Sequence, residues 1–385
     1  MRVLHVYRRY LPDSLGGTAE AIRQISLVLK AKGVESRVFA LSPELSMRVV
    51  DRPEAQVIRA RSWFAPASCD IGGIAALSCF RREAKWADLI HYHFPWPYAD
   101  LLHFTVRTEK PCLMTYHSDI VQKGALGMCY RPLRARMLAS MNAVVATSPA
   151  YRQTSRVLRR LEYEAPGRVE VIPLGISESS YQEYLDAAEE ISVQEEFGLK
   201  PNRYFLFIGA ARAYKGLPVL EKAVTGSELT VAIAGPGTMP EGEASSTSGQ
   251  AGVRHLGQVS PAQKMALIGN CRALVLPSNR RSEAFGMVLV EAAMCGRPLI
   301  STELGTGTSY VNIHEHTGFV VPPDDADSLH YAMQTLALND EMVTRMGIAA
   351  RQRYEKLFAG QPLSDAYYSL YQRILTEDSS PSVHV

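Results

Sequence analysis

The residues best suited to chemistry are two glutamates eight positions apart, Glu283 and Glu291, in the stretch S-E-A-F-G-M-V-L-V-E-A-A-M-C-G from Ser282 to Gly296. Residues 274–277 read as the end of a strand, 278–285 as a loop, and the apolar run from Gly286 as a buried helix closing near Gly296. The first turn of such a helix has four backbone N–H groups without intrahelical partners and is the positive end of the dipole, so it can hold a diphosphate. Glu283 then lies in the loop beside that pocket and Glu291 about two turns further on. One carboxylate at each end of a bound diphosphate could take hydroxyls from two different sugars. An ordinary amphipathic helix with two incidental glutamates has the same spacing, so the pattern alone leaves both readings open.

Other residues could join them. The loop 209–216 follows a strand at 204–208 and carries Arg212 and Lys215 between Gly209 and Gly216. Two cations in a glycine-bounded loop fit phosphate binding, although a solvated pair on a surface loop fits too. His117, in T-Y-H-S-D, stands at the carboxyl end of a strand, the edge where ligands bind in parallel α/β sheets; a histidine there can also simply cap a loop. His91 and His93 share one side of a strand. A metal site needs a further ligand, none is evident nearby, and no metal ion is expected. Asp325-Ala326-Asp327 imitates a D-x-D metal motif but precedes a helical pattern (Leu329, Met333, Leu336), which favours a helix cap.

The elements that must position these residues repeat one theme. A strand at 3–7, a loop with Pro12, Gly16 and Gly17, a helix at 18–32 closed by Gly33 and a strand at 38–41 make a β–loop–α–β opening. Further strands are expected at 88–92, 112–116, 143–146 and 169–172. Residues 177–200 read as a polar linker plus a helix, after which the β/α pattern restarts with strands at 204–208 and 229–234. Residues 238–252 read as a polar loop, and 341–358 and 365–375 as terminal helices. Gly16-Gly17 lacks the spacing of a dinucleotide fingerprint, and no G-x-x-x-x-G-K-[ST] occurs.

At 385 residues, 46% hydrophobic and 21% charged, the chain reads as a globular protein of two domains. Its opening reads as a strand and not a signal peptide, and no apolar run of about 18 residues is present to span a bilayer. The six cysteines, scattered without a C-x-x-C pair, read as buried thiols of a cytoplasmic protein. The net charge of +2 hides a division, because residues 1–180 hold 25 Lys and Arg against 16 Asp and Glu. A basic front half suits an anionic acceptor or membrane face, and residues 126–142, with Arg131, Arg134 and Arg136, look like a basic amphipathic helix. Plain surface variation gives the same counts.

The segment E-A-F-G-M-V-L-V-E is similar to the E-x7-E signature of the retaining glycosyltransferases of family 4. Its continuation, A-x-x-C-G-R-P-L-I-S-T (292–302), E-L-G-T-G-T-S-Y-V-N (303–312) and T-G-F-V-V-P-P-D-D (317–325), resembles the bacterial mannosyltransferases and rhamnosyltransferases that build O-antigen and related polysaccharides. A-R-A-Y-K-G (211–216) resembles the family's R-x-x-K-G phosphate loop. Many members place arginine directly after the strand-ending glycine, where this chain has Ala210, so this match rests on Lys215 more than on Arg212. The likeness runs from Met1 to about Leu375 and is most specific in the second half.

The resemblance implies the α/β GT-B architecture, two Rossmann-like domains facing across a cleft. An acceptor-binding domain would span 1–178 and a nucleotide-sugar domain 179–362, with the last helix and tail, 363–385, packing back on the first domain. The implied activity is transfer of a hexose, mannose or a 6-deoxyhexose such as rhamnose, with retained anomeric configuration. The donor would be a GDP-sugar and the acceptor a lipid-linked or saccharide hydroxyl. His117, Lys215, Arg212 and Glu283 would carry catalysis. Donor binding would add Gly16 and Gly17, which let the first loop approach, together with Phe285, Gly286, Met287 and Val288 around the diphosphate. Glu283 would take hexose hydroxyls, Glu291 the ribose, and His117 the transferred hexose. The leaving nucleoside diphosphate gains negative charge, and fixed cations and amides can meet it without a metal, so no cofactor is expected. No general base is evident, which suits a mechanism in which the leaving phosphate accepts the acceptor's proton. The segment 255–260 matches one whose backbone meets the nucleobase and leaves guanine and uracil both open. A polyprenyl-diphosphate-linked saccharide acceptor would place the protein in the cytoplasm, peripheral on the cytoplasmic face of the inner membrane through its basic front domain. No nucleic-acid partner is expected. A UDP-sugar transferase, a sugar-nucleotide epimerase of the same architecture and a non-catalytic sugar-nucleotide-binding scaffold are the rival readings.

Overall fold

A computed structural model describes residues 1–14, 16–44, 48–66, 69–120, 125–238 and 252–379. The polar loop expected at 238–252 lies, apart from its two ends, outside the described residues. The chain divides into two units, Met1–Gly175 together with Gly360–Val385, and Ile176–Ala359.

The first unit is built on β1 (Arg2–Val6), β2 (Glu35–Ser42), β3 (Arg48–Asp51), β4 (Gln56–Phe64), β5 (Ile71–Gly72), β6 (Leu89–Phe94), β7 (Cys112–Tyr116), β8 (Ala143–Ala146) and β9 (Val169–Val171). Among the described residues the order is β3-β4-β2-β1-β6-β7-β8-β9, with β5 on β4. The central strands are parallel, and β3 and β5 pair antiparallel with β4. Every residue of β6, β7 and β8 is buried, His91, His93 and Thr115 included, so these strands are covered on both faces. The helix Gly17–Lys30 lays Ile22, Ile25 and Leu29 on the sheet. A second cover comes from the far end of the chain. In the helix Gly360–Ser379, Leu363, Tyr367, Leu370, Tyr371 and Ile374 recur at three- and four-residue spacing and cluster with Val3, Ile25, Leu29, Leu113 and Val145.

The second unit holds β10 (Phe205–Ile208), β11 (Thr230–Ala234), β12 (Gly252–Gly257), β13 (Ala273–Leu276), β14 (Leu299–Thr302) and β15 (Gly318–Val321). They are parallel in the order β12-β11-β10-β13-β14-β15. The winding reverses between β10 and β13. In open α/β sheets ligands bind outside the carboxyl ends of the strands at such a reversal, so the loops after β10 and β13 frame the expected site.

Two readings change in detail and one holds. Residues 178–197 are not a linker with one helix but a 3-10 turn, Glu178–Tyr181, and two short helices, Gln182–Glu189 and Val193–Phe197. The cysteines are all free, but only Cys79, Cys112 and Cys271 are buried, and Cys129 is exposed. It lies on the exposed side of the helix Ala125–Ala139, whose inward face carries Met137 and Leu138. Asp325 caps the helix Ala326–Leu338, its side chain accepting from the Ser328 N–H at 3.0 Å. Among the described residues no helix is long and apolar enough to cross a membrane.

Candidate active site

Lys215 ends the short 3-10 turn Ala213–Lys215 in the loop after β10, and Glu283 lies in the loop after β13. Their side chains are ion-paired. Glu283 also accepts from Ser278 Oγ at 3.1 Å, and its backbone carbonyl accepts from Thr306 Oγ1 at 2.8 Å. Burial by itself would lower the Lys215 pKa. The Glu283 carboxylate, with Tyr214 beside it, more than offsets that and holds the ammonium above the usual lysine value. Lys215 is therefore a fixed cation at neutral pH, placed where the winding of the sheet reverses.

The two loops are tied to each other by backbone. Asn279 N–H donates to the Tyr214 carbonyl at 2.8 Å. Gly216, at φ +72°, lies so close to Pro277 that a Cβ would fall 1.9 Å from the Pro277 carbonyl oxygen. Gly216→Ala is expected to push the loops apart, with a loss of about 1–3 kcal/mol in stability and weaker donor binding. Denaturant titration with and without nucleotide diphosphate measures both.

Gly286 caps the helix Met287–Met294 with φ +83°, a conformation favouring glycine. A Cβ there would also meet Leu276 Cδ2 at 2.9 Å. The amides of the first turn, Met287 and Val288, have no acceptor within the helix, and both residues are half-buried. Phe285 is a packing residue: its ring lies edge-on to Phe358 at 5.9 Å, and Gly307 closes over it. Arg212 precedes the turn as an exposed side chain; the structure brings Lys215 and Glu283 together and leaves Arg212 outside that pair.

Glu291 is buried on the same helix and bound by two groups not expected from sequence: Lys264 Nζ at 2.7 Å and Tyr181 OH at 2.9 Å. Lys264 comes from the helix Pro261–Asn270, which follows the 255–260 segment and opens on a Ser260–Gln263 capping box. Tyr181 is 110 positions from Glu291, a separation that leaves no local pattern to read.

In the first unit, Gly16 precedes the helix Gly17–Lys30 at φ −73°, and a Cβ there would meet only Ser14 Oγ, at 3.6 Å. Both Gly16 and Gly17 are exposed, and at Gly16 the fold itself has room for a side chain. His117 follows β7 and is buried, with Nε2 at 2.9 Å from His93 Nδ1; burial drops its pKa to about 3, so its ring is neutral. The sequence offered no third histidine beside His91 and His93. The structure supplies His5, directly opposite His91 in the β1–β6 register, with nitrogens of the three rings within 4.8 Å of one another. The strand pairing that joins them is not visible in sequence.

Two parallel β/α units, the second with a cation–carboxylate pair and a helix N-terminus at its switch point, define the GT-B class of fold. Residues 15–180 match the family model Glycosyltransferase Family 4, and residues 189–353 match Glycosyl transferases group 1. The chain is 38% identical over 382 residues to the O-antigen chain mannosyltransferase C of Escherichia coli, covering 98% of this chain and 100% of that one. It is 40% identical over 361 residues to the D-rhamnosyltransferase WbpZ of Pseudomonas aeruginosa, covering 93% and 92%. Among solved structures, sucrose-phosphate synthase from Thermosynechococcus elongatus superposes with a TM-score of 0.74 at 20% identity, over 98% of this chain and 99% of that one. Anabaena HepE in complex with UDP and glucose gives 0.69 at 16% identity, over 96% and 99%. The chain belongs to the family 4 glycosyltransferases and is a glycosyltransferase of GT-B fold.

Proposed function

We propose that this glycosyltransferase moves mannose or a 6-deoxyhexose such as rhamnose, with retention, from a GDP-sugar to a polyprenyl-diphosphate-linked saccharide in O-antigen assembly. The observation that carries the reading is the Lys215–Glu283 pair between the loops after β10 and β13. As the glycosidic bond breaks, charge builds on the departing diphosphate. Lys215 and the first-turn amides at Met287 and Val288 are positive groups already in place, and such groups need no reorganisation at the moment of reaction. Glu283, beside Lys215, takes hexose hydroxyls. Glu291, steadied by Lys264 and Tyr181, takes the ribose. The choice of sugar and pathway follows the relatives named mannosyltransferase and D-rhamnosyltransferase.

Thermal melts with GDP and UDP test the donor: GDP is expected to stabilise and UDP to do so less, and the reverse order would reassign the protein to a UDP-sugar. Turnover with a panel of GDP-sugars then separates transfer from epimerisation or mere binding by its product. Activity is expected to survive EDTA, since protein cations do the work of a metal; loss of activity on chelation would refute that part.

The front unit is proposed to rest on anionic lipid at the cytoplasmic face of the inner membrane, supported by Arg131 and Arg136, exposed on the helix Ala125–Ala139. Flotation with anionic and neutral vesicles checks this, and equal recovery with both would count against it.

A further inference from the structure

Three histidines of the first unit stand in one hydrogen-bonded row. His5 Nδ1 lies 3.0 Å from His93 Nε2, and His93 Nδ1 lies 2.9 Å from His117 Nε2. The rings are stacked at 5.3 and 5.2 Å between centroids, and all three are buried. Burial holds each ring well below the ordinary histidine pKa, so each is neutral. A neutral imidazole has one N–H and one bare nitrogen. The two hydrogen bonds must therefore point the same way along the row, and only two arrangements exist.

The inner end chooses between them. His5 Nε2 is buried and has no hydrogen-bond partner among the described residues. If the bonds ran from His117 inward, His5 would carry its proton on that nitrogen, a buried N–H without an acceptor, the rarer and costlier kind of orphan. If they run outward, a bare nitrogen is left there. His5 and His93 then donate from Nδ1, His117 accepts at Nε2, and its own proton sits on Nδ1. That atom makes no hydrogen bond among the described residues.

We propose that His5 and His93 are positioning residues that fix His117 as an Nδ1–H tautomer, so that it donates a hydrogen bond to a hydroxyl oxygen of the bound sugar. This rests on the reading that His117 meets the transferred hexose. His91 stands beside the row, stacked at 4.2 Å on His93, and is held separately by Tyr371 OH and Thr115 Oγ1, each at 2.7 Å. With both its nitrogens engaged, His91 serves as a wall that keeps His93 upright.

Asparagine carries an amide near the place of a histidine Nδ1, so His93→Asn can still donate to His117, whereas His93→Leu cannot. His93→Leu is expected to lower kcat/KM by about tenfold or more, the scale of losing a group that holds an imidazole in its tautomer, and His93→Asn to recover most of that. Stabilisation by GDP should be the same in both. Long-range nitrogen–proton NMR spectra of histidine-labelled protein should show His5, His93 and His117 protonated on Nδ1, with His117 moving toward Nε2–H in His93→Leu. Nε2–H at His117 in the unaltered protein, or equal losses in the two His93 variants, would overturn the inference. One equivalent of zinc bound by the unaltered protein and lost in His5→Phe would also overturn it, because metal-bound nitrogens cannot carry these hydrogen bonds. His117→Ala separates the layers: if it leaves kcat/KM unchanged, the contact with sugar fails, whatever the tautomers are.

Discussion

Lys215→Ala is expected to lower kcat by about 10²-fold or more, the usual loss when one donor aimed at developing charge is removed. The reasoning begins with protonation. Burial works against the ammonium and Glu283 works for it more strongly, so the side chain is charged at any working pH. Because the charge on a leaving diphosphate grows toward the transition state, the loss should fall on kcat more than on KM. Removing the lysine also leaves the Glu283 carboxylate buried without its cation, so a stability defect must be separated from a catalytic one. Lys215→Arg keeps the charge and should retain part of the rate. If purified Lys215→Ala melts normally, binds GDP and loses less than about threefold in kcat, the assigned role is wrong.

The second large effect is on acid stability. His5 and His117 have pKa values pushed to about 3 by burial, and His103 to about 4. His91 and His93 are lowered for the same reason, with the neighbouring imidazoles adding to it. In the unfolded chain each titrates near 6.5. Between that pH and the folded values the unfolded state binds more protons, so stability is full above about 6.5 and falls as pH drops. Each histidine contributes up to about 1.4 kcal/mol per pH unit. Asp100 works in the opposite sense: burial raises its carboxyl to about 7, only partly countered by Tyr130 and Arg134, so the folded state gains stability as pH falls through that value. One carboxyl against five imidazoles cannot cancel the slope. Against a domain stability of about 5–15 kcal/mol, unfolding is expected to begin near pH 5. Denaturant titrations from pH 8 to pH 5 would show the fall, with a shallower slope in His5→Phe; a flat profile would mean the row takes up protons while folded.

Some of this was legible in the sequence and some was not, for physical reasons. The glutamates, Lys215 and the glycine that starts the helix Met287–Met294 lie within short segments whose spacing reports local backbone, and the structure puts Lys215 beside Glu283. The buried strands announced themselves as apolar runs. What stayed hidden depends on strand order and on distant pairing. His5 reaches the other histidines only because β1 lies beside β6, and Tyr181 and Lys264 meet Glu291 from two separate elements. Phe285 adds a role its motif did not announce: its ring lies edge-on to Phe358.

The helix Gly360–Ser379 carries one more consequence. Tyr367, Leu370, Tyr371 and Ile374 lie in the same core as Val3, near the opposite terminus. A ribosome therefore delivers the stretch Ile176–Ala359 whole, while the segment made before it still lacks a wall. The earlier-made half waits for this helix, and a chain stopped before Gly360 would have a whole rear half joined to an open front one.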